Sequence, residues 1–273
     1  MNVDRFPPRL FKHLKLPVSM IARAFRRRVE ATVHYRDMSV YGGAFDAPTR
    51  EVQARLPPGF TALERSAGVS EVRITALDYR DVDWLSPYRE AAVTVPVRFR
   101  ATGMDPIQGW YVLQLPVTTE EARWPGVENF GFPKFVAHIQ IEGEDGTQHC
   151  TVDHAGQHVL TMHVRARETS ETELRDRFLT VRADGMVVAS TFDSDGELSI
   201  DPMPGGVTLE LGNHAIADQL RELDVRLATG RALYGPRRHG VLSTGTDIAS
   251  LDSVTGTNGR RQQAFAEILE TRT

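Results

Sequence analysis

The sequence predicts a β-rich α+β fold, a closed or nearly closed β-barrel carrying a few short helices. Three observations lead there. Apolar and polar residues alternate over many short segments, helical periodicity is confined to four stretches, and Gly- and Pro-rich joints separate the segments. Closing such strands on themselves removes exposed edges, and a barrel of this size can hold one small ligand.

The elements follow in order. Residues 1–30 form a basic arm. Within 1–28 eight Lys or Arg stand against one acid, a balance of +7, while the whole chain carries −4 and the remainder therefore −11. Residues 18–29 can coil into a basic amphipathic helix with Met20, Ile21, Ala24 and Phe25 on one side. The arm is expected to dock on the acidic body of its own or a neighbouring subunit, with membrane-surface contact the lesser alternative. The body lacks a basic, aromatic-interleaved stripe, so no nucleic-acid partner is expected. Residues 31–273 read as one domain, without repeats, low-complexity blocks or a long linker. Strands are predicted at 31–35, 39–45, 70–79, 88–99, 110–117, 134–142, 148–152 and 158–167, then at 179–181, 185–190, 197–200, 207–211 and 241–244. Helices are predicted at 50–56, 118–124, 216–223 and 261–269. Turns fall at Pro57-Pro58-Gly59, at Pro202 to Gly206 and at Tyr234-Gly235-Pro236.

A hydrophobic share of 41% and a charged share of 25% are those of a globular protein with a sizeable core. The single cysteine, Cys150, excludes an intramolecular disulfide and fits a reducing, cytoplasmic setting. It reads as a buried strand thiol. No apolar run reaches the ~20 residues of a membrane span, and Pro7, Pro8 and Pro17 interrupt any signal-peptide core.

Chemistry enters with the lysines. There are three, and only Lys134 lies beyond the arm; Lys12 and Lys15 are in it, and every remaining basic residue is arginine. Guanidinium replaces ammonium where only charge is needed, but it cannot lose a proton and attack a carbonyl. Lys134 stands in Gly131-Phe132-Pro133-Lys134-Phe135, where apolar neighbours would favour the neutral amine. It reads either as a Schiff-base nucleophile or as an ordinary strand lysine. Alternation from Lys134 puts Val136 and His138 on its face and Phe135 and Ala137 on the other, which makes His138 an acid–base candidate. In the segment from Tyr88 to Val97, Tyr88, Glu90 and Ala92 share a face in an otherwise apolar strand. A carboxylate there is costly unless it is paired, hydrated or used. His149, His154, His158 and His163 crowd one hairpin, but the turn separates them and no metal site is expected.

The run Glu128-Asn129-Phe130-Gly131-Phe132-Pro133-Lys134, followed by an apolar strand, resembles the active-site signature of the acetoacetate decarboxylase family. Leu56-Pro57-Pro58-Gly59-Phe60, the segment Val72 to Arg80 running on to Pro87-Tyr88-Arg89-Glu90, and Tyr234-Gly235-Pro236 are similar to further family elements, over about residues 38–245. The resemblance implies a cone-shaped β-barrel, homo-oligomeric assembly and no cofactor. It also implies a Schiff-base lyase acting on a keto acid or related carbonyl substrate, with Lys134 as nucleophile and Glu90 as the active-site glutamate. Tyr88, Phe132, His138 and Arg36 are the expected substrate-binding residues. Three departures stand out. Phe135 replaces the second lysine that follows the nucleophile, Thr75 stands where the family has an acid, and Met38 occupies an arginine position for which Arg36 is the nearest substitute. Acetoacetate itself is therefore not the expected substrate, and decarboxylation and aldol–dehydration chemistry both stay open. A non-catalytic ligand-binding or regulatory barrel, or an oligomeric platform for the arm, would fit the same residues. A buried Lys134 amine within reach of Glu90 would favour the enzyme.

Overall fold

The computed structural model describes residues 32–254. The basic arm and the predicted helices at 18–29 and 261–269 lie outside the described residues. Strand β1 (Val33–Pro48) leads through helix α1 (Thr49–Ala54) and short strands β2 (Phe60–Ala62) and β3 (Glu64–Ser66) into β4 (Val69–Val82) and β5 (Tyr88–Phe99). Next come β6 (Ile107–Val117), helix α2 (Glu120–Phe130) and β7 (Lys134–Val136). A run of β8 (His138–Glu144), β9 (Thr147–His154) and β10 (Gln157–Arg165) precedes β11 (Ser170–Glu171), β12 (Leu174–Val181) and β13 (Met186–Pro204). The last elements are β14 (Val207–Leu211), α3 (Ala215–Glu222), β15 (Arg226–Leu242), β16 (Thr246–Ser250) and a 3₁₀ turn at Leu251–Ser253.

Seven strands close a barrel in the order β5-β4-β1-β15-β13-β12-β6, because β6 also pairs back onto β5. Its pairings are antiparallel except for the short parallel contact of β12 with β6; β7 pairs in parallel further along the same edge of β6, opposite β5. A second, antiparallel sheet in the order β14-β10-β9-β8 packs on the outside of the barrel.

Alternation on β4 and β5 organises both cores. Val72, Ile74 and Ala76 of β4, with Ala91, Val93 and Val95 of β5, face outward into a core shared with Val152, Leu160, Met162 and Leu209 of the second sheet and Leu220 of α3. Each Val, Ile, Leu or Met among them stabilises the fold by about 1.5–3 kcal/mol on burial. The intervening residues Thr75, Leu77, Glu90, Ala92 and Thr94 face the barrel interior. Strand β5 is thus covered on both faces, which accounts for its nearly continuous apolar sequence.

Several sequence expectations need correction. The segments predicted at 31–35 and 39–45 belong to one strand, β1, and those at 185–190 and 197–200 to β13. Tyr234-Gly235-Pro236 is no turn but lies inside β15, where the pairing registers with β1 and with β13 both shift. A proline has no N–H to give a ladder, and such an irregularity removes the need for one. Helix α2 continues through Pro125-Gly126 to Phe130 rather than stopping at Trp124. The predicted strand 134–142 is two strands in two sheets, broken at Ala137, whose N–H bonds back to Val117 O. Among the described residues, no helix is long and apolar enough to cross a membrane.

Candidate active site

The turn from α2 into β7 delivers Lys134. Thr119 caps the helix start by accepting from Ala122 N at 3.2 Å. The helix ends at Gly131 in the left-handed region, φ 66°, with Gly131 N–H bonded to Val127 O and Phe132 N–H to Gly126 O. A Cβ at 131 would stand 2.9 Å from Arg182 N, so glycine is required by conformation and by space. Pro133 follows, and Lys134 enters β7 opposite Leu115 of β6. The lysine stem then passes directly against the helix at Gly126, where a Cβ would lie 2.5 Å from Cδ and 2.7 Å from Cε.

Its Nζ ends 2.7 Å from Glu90 Oε2, with both side chains at or below 10% exposure. The Tyr79 hydroxyl donates to Glu90 Oε1 at 3.5 Å. The ring centroids of Tyr88 and Phe132 lie 5.5 Å and 5.8 Å from Nζ. Tyr35, Tyr79 and Tyr88 pack in sequence at 4.4 and 4.7 Å between centroids, and the Tyr35 and Tyr88 hydroxyls are 3.4 Å apart. Burial pushes all three hydroxyls well above the ordinary tyrosine range, reinforced by the Glu90 charge in each and by neighbouring phenols at Tyr79 and Tyr88, while the Tyr88 hydroxyl partly offsets the rise at Tyr35. They therefore remain proton-bearing donors around the carboxylate.

A cavity of about 110 Å³ runs inside the barrel from Lys134 and Glu90 to Arg73, Asp176, Ser194 and Arg238. Asp176 accepts from Trp110 Nε1 at 3.0 Å and lies 3.6 Å from Arg73, whose guanidinium stacks 3.7 Å over the Trp110 ring.

Of the residues singled out from sequence, Lys134, Glu90, Tyr88 and Phe132 come together, and Met38 and Thr75 line the cavity. Arg36 and His138 do not join them. Arg36 lies within the β1 irregularity between Tyr35 and Met38 and points outward, half-exposed, to Asp81 and Asp83. His138 is 65% exposed beside Asp153 on the second sheet, because the break at Ala137 cancels the alternation that would have kept it on the Lys134 face. Phe135 packs against the outer core and edge-on to His154, so the wall beside the amine is Phe132 and Tyr88, not Phe135. Cys150 is buried in that outer core, where desolvation pushes its thiol up to about 12. Of the hairpin histidines, His149 pairs with His163, His154 with His214 at the start of α3 and His158 with Asp153, and no group of three metal-ligating side chains converges among the described residues. Sequence reasoning missed Tyr79, Gly126 and Arg238; only Tyr79, which shares the inward face of β4 with Thr75 and Leu77, follows strand alternation.

A profile of acetoacetate decarboxylase matches residues 26–241. The chain belongs to the acetoacetate decarboxylase family. A search of the curated proteins finds no match. Among solved structures, the acetoacetate decarboxylase of Legionella pneumophila superposes with a TM-score of 0.60 at 17% identity, over 81% of this chain and 88% of the other. The enduracididine biosynthesis enzyme MppR, complexed with the condensation product of pyruvate and imidazole 4-carboxaldehyde, gives 0.59 at 14% identity, over 80% and 90%. An acetoacetate decarboxylase-like enzyme from Sphingomonas wittichii RW1 gives 0.54 at 14% identity, over 87% and 98%. The family and the barrel together place the protein among enzymes of the lyase type.

Proposed function

We propose that this family member forms an imine between Lys134 Nζ and the carbonyl carbon of a keto acid or related substrate. One observation supports the reading most directly: the Lys134–Glu90 pair, 2.7 Å apart and buried at the wall of the cavity. Transfer of the ammonium proton to Glu90 leaves a neutral amine and a neutral acid, and the Nζ lone pair then makes the C–N bond. The carbonyl oxygen takes up two protons and leaves as water. The resulting iminium accepts the electron pair of a bond to the neighbouring carbon, giving an enamine. Loss of CO₂, retro-aldol cleavage and aldol–dehydration all pass through that species, and Glu90 is positioned to shuttle the proton it requires. Tyr79 orients the carboxylate from its other oxygen. The cavity offers Thr75 and Met38 where the decarboxylase pattern has charged groups, which favours a substrate other than acetoacetate.

Borohydride reduction in the presence of pyruvate, acetoacetate, levulinate or acetone tests the reading. The expected result is a reduced adduct on Lys134, located by peptide mass. Adducts confined to Lys12 or Lys15, or none with any of the four, would refute it and return the barrel to a ligand-binding role.

A further inference from the structure

Three arginines of the described residues are buried. Arg182 holds Asp184 and Asp247, and Arg231 holds Asp46 and Glu71. Arg238, at 2% exposure the most buried of the three, forms no ion pair among the described residues. Its terminal nitrogens donate only to neutral oxygens: Gly196 O at 2.9 Å, Glu197 O at 3.4 Å, Thr172 O at 3.2 Å and Ser194 Oγ at 3.0 Å. None of these bonds uses Nε. Ser194 Oγ accepts from Arg238 and so keeps its own hydrogen to donate. Both residues line the cavity that contains Lys134. A buried cation without a directly bonded carboxylate is costly. Asp195, Glu171 and Asp176 act on Arg238 only through space, Asp176 being held by Arg73 and Trp110, and burial outweighs them and lowers the Arg238 proton affinity.

The strand registers locate this pole relative to the amine. Arg238 pairs with Met38, Met38 with Tyr79 and Tyr79 with Tyr88, forming one rung; Val40, Leu77 and Glu90 form the next inward rung. Arg238 is therefore three strands round the wall from the strand of Glu90. That is about 14 Å along the wall at ~4.8 Å per strand, less between side chains that converge inward. The surface between the two ends is apolar, made by Met38, Val40, Leu77, Phe192 and Leu233.

We infer that Arg238 and Ser194 receive the carboxylate of an oxo acid whose carbonyl, several carbons away, is the group that reaches Lys134. The carbonyl half rests on the imine reading; the carboxylate half does not. This carboxylate is retained in the product. Decarboxylation would turn it into neutral CO₂, so a guanidinium holding it stabilises the starting state more than the transition state and works against its loss. The substrate class is thus an oxo acid with its carboxylate remote from the bond that changes.

The test uses pentanoate, which has the carboxylate but no ketone or aldehyde group, against methyl pentanoate, measured by calorimetric titration and thermal shift. Wild type should bind the acid at least tenfold more tightly than the ester. Lys134→Met should keep that preference, whereas Arg238→Met should lose it. Ser194→Asp should lose it as well while raising the Tm, because it places a permanent counter-ion beside the arginine. That variant decides the matter where Arg238→Met does not fold. Equal affinity for acid and ester in the wild type would overturn the inference. So would a preference lost in Lys134→Met and kept in Ser194→Asp. Failure of borohydride trapping with the carboxylate preference intact would instead remove the imine reading and leave the anion site standing.

Discussion

Gly126→Ala isolates the placement of the Lys134 amine from everything else in the site. The added methyl would sit 2.5 Å from Cδ and 2.7 Å from Cε, whereas carbon contacts settle at about 3.5–4.0 Å. The lysine stem must therefore retreat by roughly 1 Å or more. It is a flexible side chain, so the helix can stay in place while the amine moves away from Glu90 Oε2, now 2.7 Å distant. The fold should tolerate the change: alanine is better than glycine in a helix by about 1 kcal/mol, which offsets much of a crowding cost of about 1–3 kcal/mol. A displacement of about 1 Å at a reacting group can cost about 10²-fold in rate, or ~2.7 kcal/mol of activation barrier. Exchange of the α-protons of acetone in D₂O, followed by NMR, reads imine and enamine formation without requiring the natural substrate. Gly126→Ala should lose about 10²-fold in that exchange while the Tm moves little. Wild-type exchange in a folded alanine variant would show that the helix contact does not position the amine.

Two further predictions follow from the same pocket. Glu90→Gln should remain folded and still be trapped at Lys134 by borohydride, yet exchange α-protons about 10²-fold or more slowly, the usual cost of a lost general acid–base; an exchange rate unchanged from wild type would return Glu90 to a purely structural role. The raised hydroxyls of Tyr35, Tyr79 and Tyr88 predict a stability that is complete below about pH 10, where unfolded tyrosines keep their protons, and falls as the pH rises through the raised values. Urea midpoints from pH 8 to 11 should decline at the alkaline end with tyrosinate absorbance appearing together with unfolding, and a native protein that ionises these three reversibly near pH 10 would contradict the buried cluster.

What the sequence revealed about this site depended on the range over which each contact is encoded. Gly131-Phe132-Pro133-Lys134 is a local instruction, a left-handed helix cap followed by a fixed-φ residue, and the structure executes it within a few residues. The inward setting of Glu90 is also local, since Tyr88, Glu90 and Ala92 follow uninterrupted strand alternation. His138 was misplaced because a single break at Ala137 resets parity, and no residue there announces the change. Arg36 was misplaced across the irregularity between Tyr35 and Met38. Arg238 was invisible for a different reason. Arg237 and Arg238 are identical in type, and only the shifted register of β15 sends one to surface Glu197 and the other to the interior. The closure that brings β15 near β5 involves residues some 150 positions apart, beyond any periodicity argument.

The double-faced wall of β4 and β5 separates two kinds of change. On β4 the odd positions 73, 75, 77 and 79 shape the chamber, and on β5 the even positions 90, 92 and 94 do so. The alternate positions of both strands anchor the second sheet. Chamber volume and fold cohesion are thus written on separate registers of the same two segments. Thr75, Ala92 and Thr94 are small, so exchanging them for larger or more polar residues would retailor the accepted ligand one position at a time. The packing that holds the barrel shut would be left untouched. A lineage drifting toward new substrates, or a library built to imitate it, has that interior ladder as its least hazardous route.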